Sequence, residues 1–263
     1  MIRVSSKVKF SYDLVKGSVE KRQKFVSDLN EKYFNAFLPI YKNEKIKLGN
    51  IRRNYFSLLP ENKLVNIISL SPSDKASLGG SDYIYLKGSI VGLTLEMPVK
   101  YSKVPRDSFV TFMHENTHVL DTLANPKHTA VTAKLYREGK YDDRRNNWFD
   151  NFVYVREPID KLPKQDILLK VREKTLAFLH DKPALDKIAH LQDARYQLEQ
   201  EKHAYSEQLK YALKLKEMNM PVDDIDLIDE SKNFLFDDKI KLLKEIAFEL
   251  IAKERKKIGI KTT

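Results

Sequence analysis

The chain has 263 residues, 42% of them hydrophobic and 10% aromatic, enough apolar material for one large domain or two small ones and too much for wholesale disorder. It contains no cysteine, which excludes disulfides, thiolate metal sites and cysteine nucleophiles. The formal net charge of +10, with a pI near 9.4, favours acidic partners such as nucleic acid, anionic membrane or acidic proteins; a Lys-rich solvated surface has the same composition, and no nucleic-acid-binding motif accompanies the charge. Met1 to Lys7 lacks the apolar stretch of a secretory signal, and no run is long enough to span a bilayer. The expectation is a soluble, cytoplasmic protein, with export by a signal-free route left open.

Phe25, Val26, Leu29, Tyr33, Phe34 and Phe37 recur at helical spacing and predict a helix over 13–40. Leu64 to Ile68 reads as a short strand, with turn clusters at Ser71 to Asp74 and Gly79 to Asp82. Tyr83 to Leu86 and Ile90 to Met97, joined by Lys87-Gly88-Ser89, spell a β-hairpin whose second strand Pro98 ends. From Asp107 to Ala124 there is neither Lys nor Arg; Asp107 and Ser108 are good N-caps for a helix there, and Asn125-Pro126 breaks it. Leu185 to Lys216 reads as one long helix, followed by a turn at Met220-Pro221 and the acidic run Asp223 to Asp226. Ser231 caps a last amphipathic helix with Asp237 and Asp238 early and Lys253 to Lys257 at its end, matching the helix dipole, and Gly259 is its stop. With no repeat or low-complexity linker, the elements predict an α+β fold, predominantly helical, with a small antiparallel sheet before the motif helix. Residues 1–220 would form one domain, its N-terminal helix and sheet in 1–105 and its helical portion in 106–220. Residues 221–263 would form a helical extension packed on it.

Inside the segment free of basic residues lies His114-Glu115-Asn116-Thr117-His118, which fits H-E-x-x-H. Positions i and i+4 of a helix share a face, so both imidazoles can reach one metal ion at roughly 2.0–2.1 Å. Glu115 then stands where a general base for an activated water is needed. Phe109, Phe112, Met113, Leu120 and Leu123 fall on one face of this helix, and Val110, His114, His118 and Asp121 on another, the pattern of a buried helix. A third ligand is sought downstream. Leu191, Ala194, Leu198, Glu201, Tyr205 and Ala212 fall on one stripe, which puts Glu201 where an apolar residue is expected, with Glu199 and Glu207 on other faces. A carboxylate there needs a metal or a basic partner.

The five residues of the motif and their helix, about 18 residues in all, resemble the zincin metallopeptidases, with Thr117 common at its position and Asn116 unusual where an apolar residue is typical. A metzincin would carry Gly and His where Asp121 and Ala124 stand, and a peptide deformylase needs a cysteine. Glu201-Lys202-His203-Ala204 resembles the gluzincin pattern E-x-x-A, so the resemblance implies one Zn2+ per chain on His114, His118 and Glu201, with Glu115 as catalytic base. It also implies a His or Tyr aimed at the oxyanion, for which His203 and Tyr205 are candidates, and an edge strand, Ile90 to Met97, that takes up extended peptide. His128 is a rival third ligand, resembling the SprT-like proteases that act on DNA-bound proteins. Asp121 reads as a carboxylate orienting an imidazole N–H, or as a cap. The implied activity is zinc-dependent hydrolysis of a peptide or protein substrate, acidic or nucleic-acid-associated proteins being favoured by charge. A non-catalytic module of similar fold and a nucleic-acid-binding protein with an incidental motif remain the alternatives.

Overall fold

Aromatic residues decide how the first helix packs. In the computed structural model, which describes residues 18–42, 55, 58, 65–72, 80–86, 89–99, 108–124, 126–155 and 163–257, helix α1 spans Val19–Lys42. The Ser18 hydroxyl accepts from the Lys21 N–H at 3.4 Å at its start. Its Tyr33, Phe34, Phe37 and Tyr41 are all buried, one or two turns apart on one face. They meet helix α2, Ser108–Ala124, whose Phe109 stacks on Tyr41 at 4.1 Å and on Phe34 at 5.5 Å between ring centroids. Phe37 lies 5.0 Å from Phe112, and Tyr211 closes the group 4.8 Å from Phe34. Paired rings of this kind add about 0.5–1.5 kcal/mol each beyond the area they bury.

The remaining helices are α3 (Pro126–Arg137), α4 (Asp143–Trp148), α5 (Lys164–Leu179), the 34-residue α6 (Ala184–Glu217), the short α7 (Glu230–Asn233) and α8 (Phe236–Lys257). A π-helical turn, Phe149–Val153, continues α4, and Asp224–Leu227 is a 3-10 turn. Pro126 breaks α2 and begins α3 at the one helical position where its missing N–H costs nothing. Residue 107 and Gly259, read as cap and stop, lie outside the described residues. Ser231 does not cap the last helix: it stands inside α7 with its hydroxyl on the Asp229 carboxylate, and α8 begins at Phe236.

The α+β class expected from the sequence is corrected. The class is all-helical: among the described residues, every buried core side chain except Leu95 stands on a helix or on a turn between helices. The expected antiparallel sheet is not formed as such. Three short extended segments, β1 (Val65–Pro72), β2 (Gly80–Leu86) and β3 (Ser89–Val99), pair in the order β1-β3-β2, and β1 runs parallel to β3. Only β2 is antiparallel to it. Strand signals between residues 64 and 97 were therefore a poor guide to class. Pro98 does not end β3 but pairs with Ser71 one residue before its end, where a missing ladder donor is tolerated. Nor is Ile90 to Met97 an edge. β3 is the middle strand, its backbone paired to β1 over 92–99 and to β2 over 89–96, so over 92–96 it has no side left to take up a peptide.

The chain divides into two units, Met1–Thr129 with His203–Ile228, and Ala130–Lys202 with Asp229–Thr263. The first holds the aromatic core of α1, α2 and the second half of α6. The second holds a buried ion pair, Arg145 to Asp193 at 2.7 Å, both almost fully enclosed. Thr132 donates to the other Asp193 oxygen at 2.7 Å, Gln197 accepts from Arg145 at 2.9 Å, and the guanidinium lies 4.1 Å over the Tyr141 ring. These bonds offset part of the cost of burying the two charges, although the Arg145 Nε–H has no hydrogen-bond partner among the described residues. Among the described residues, no helix is long and apolar enough to cross a membrane.

Candidate metal centre

The site begins with α2. None of its described side chains is exposed, and those of His114, Asn116, Thr117 and Asp121 are buried together with its apolar residues. Polar groups placed so must find partners. Asn116, the unusual residue of the motif, donates to Asn30 Oδ1 at 2.8 Å, and Asn30 in turn donates to the Thr117 hydroxyl at 2.8 Å and to Glu207 Oε2 at 3.2 Å. Thr117 donates to the Met113 carbonyl one turn back at 2.7 Å. The departure from an apolar residue at position 116 is thus matched by an asparagine on α1.

This network fixes the rotation of α2 and with it the motif. His114 is buried and His118 half-buried, and their Nε2 atoms lie 3.1 Å apart. Two nitrogens on a tetrahedral ion at 2.0–2.1 Å are separated by about 3.3 Å, so the pair has the spacing of two corners of a zinc site. Tyr205 places its ring edge against His114, centroids 4.7 Å apart at 73°, which holds that imidazole in orientation. It is half-buried and packs on the His114 ring rather than standing clear of it.

His203, one residue before the buried Ala204 on α6, is itself buried, and its Nδ1 meets Asp121 Oδ2 at 2.8 Å. Burial alone would lower the pKa of this imidazole, but the adjacent Asp121 carboxylate outweighs it and the net shift is upward, favouring the imidazolium. Asp121 therefore orients an imidazole, as expected of it, but that of His203 and not one of the motif pair.

Glu201 stands two residues ahead of His203 on the same helix. One ligand atom each from His114, His118 and Glu201 lie within 4.8 Å of one another. The donor set, two imidazoles and one carboxylate, suits Zn2+ and leaves room for a fourth ligand. The Tyr154 hydroxyl donates to Glu201 Oε2 at 3.0 Å. Glu115 is half-buried on the helix turn between the two histidines. His128 lies on α3, and its side chain is outside the described residues.

Besides Asn30, two residues were not foreseen. Glu207, assigned by periodicity to another face of α6, is buried and accepts from Ser27 at 2.8 Å and from Lys210 at 3.3 Å besides Asn30. The buried side of α6 changes near Glu201, from Leu191, Ala194 and Leu198 to His203, Ala204, Glu207 and Tyr211, and a single stripe drawn along the helix misses this. Tyr154 lies 47 positions from Glu201, and no spacing in the sequence marks it. Compared with known proteins, the chain matches no family model, no curated protein and no solved structure.

Proposed function

We propose that this protein is a zinc-dependent metallopeptidase of the gluzincin type. The observation that carries the reading is the convergence of His114, His118 and Glu201 beside Glu115 on a helix whose rotation is fixed by buried hydrogen bonds. His114, His118 and Glu201 would hold the zinc, which when bound would supply Lewis-acid activation of a water and polarisation of the scissile carbonyl. Glu115 takes the proton from the attacking water and delivers it to the leaving amine. His203, held by Asp121, is the donor for charge developing on the carbonyl oxygen, and Tyr205 keeps the His114 ring in place. The substrate is a peptide or protein, and the net charge of +10 favours acidic stretches of it.

The test has two parts. Metal content of the purified protein and of Glu201→Ala is measured by mass spectrometry, and cleavage of a peptide library is compared between wild type and Glu115→Gln. The expected result is close to one zinc per chain, lost in Glu201→Ala, and cleavage reduced about 10²–10⁴-fold in Glu115→Gln with zinc retained. Zinc bound without any cleavage would point to a non-catalytic module, and no bound metal after reconstitution would sink the reading.

A further inference from the structure

Tyr154 is held more firmly than packing alone requires. It follows the π-helical turn Phe149–Val153, a distortion often found where a side chain must be re-aimed. Its ring lies nearly parallel to three others: Phe149 at 5.9 Å and 9°, Phe234 at 5.0 Å and 10°, and Phe236 at 6.3 Å and 14°. Phe234 and Phe236 are themselves stacked at 5.1 Å. The next residue is anchored too, its carbonyl accepting from the buried Lys239 ammonium at 2.9 Å. A phenylalanine at 154 would serve every one of these stacks. What the hydroxyl adds is the 3.0 Å hydrogen bond to Glu201 Oε2.

We infer that Tyr154 is a positioning residue for the metal that Glu201 would hold: its hydroxyl holds Glu201 Oε2 and fixes the rotamer of that carboxylate. A carboxylate held ready in this way loses less rotamer freedom on binding an ion, and a donor on its second oxygen fixes its plane. The inference rests on the reading of Glu201 as a ligand and names the group that makes it a good one.

The test is zinc affinity by chelator competition for wild type, Tyr154→Phe, Glu201→Ala and the double variant, with melting of each metal-free protein and the visible spectrum of each cobalt-substituted form. The expected result is zinc bound about 10–100-fold more weakly by Tyr154→Phe, unchanged melting of its metal-free form, a shifted cobalt spectrum, and no further loss when the substitution is added to Glu201→Ala. Zinc affinity of Tyr154→Phe within about twofold of wild type, with Glu201→Ala impaired, would overturn the inference and leave the metal site standing. Weaker binding that persists in the Glu201→Ala background, with earlier melting, would mean that the ring acts through the fold, and would also overturn it. If wild type binds no zinc, or Glu201→Ala binds it as tightly, the reading of the site fails and the inference with it.

Discussion

Residue by residue, the second unit carries its most unusual group in His190. The ring is fully enclosed, edge-on to Phe178 at 5.1 Å, and neither nitrogen has a hydrogen-bond partner among the described residues. Burial, helped by the positive charges of Lys182 and Arg145, pushes its pKa down to about 4 from the usual 6.5. Well above pH 6.5 the ring is neutral folded or unfolded, and its titration leaves stability unchanged. As the pH falls from 6.5 toward 4 the unfolded chain takes up a proton that the folded one refuses, and stability declines. By pH 4.5 the loss is on the order of 2 kcal/mol. His190→Phe should remove this component, so the stability difference between variant and wild type, followed by denaturant melts, should shift in the variant's favour between pH 6.5 and 4.5. A difference that stays flat over that range would show that His190 does not titrate in this way. The residue scale is also where the sequence was most and least informative. His114, Glu115 and His118 announce themselves by spacing alone. Asn30, Glu207 and Tyr154 do not, because each is defined by a partner far away in the chain.

Elements were easier to read than their faces. The limits of α2 follow from composition, an interval without Lys or Arg that closes on Pro126, and α6 begins and ends within a residue of the expected span. The strands were a different matter. β1 lies parallel to β3, a pairing between segments some 25 residues apart that local alternation does not encode. At the end of α6, Asn219 has φ 54°, in the left-handed region, and the Met220 N–H closes back on the Leu215 carbonyl at 2.9 Å. Asparagine tolerates this conformation, but glycine adopts it without cost. Asn219→Gly should therefore raise stability by about 0.5–1 kcal/mol in urea melts. A loss of stability would mean that the Asn219 side chain contributes more than its backbone strain takes away.

At the scale of the whole molecule, neither unit is continuous in sequence. The aromatic core of the first needs Tyr211, Ala212 and Leu215, which are reached only after Ala130–Lys202, the larger part of the second, has been traversed. A chain truncated after Lys202 should accordingly fail to protect the amides of α1 and α2 in hydrogen exchange, while the full chain protects them; protection in the truncated chain would show that these two helices are stable without α6. Because a ribosome delivers the chain from its N-terminus, α1 and α2 are made early and must wait. The histidine pair can meet Tyr205 and His203, residues of its own unit, only when more than three quarters of the chain has been synthesised. In α6 the order of translation thus acts as a timer, delaying assembly of the proposed metal centre until little of the chain is left to make.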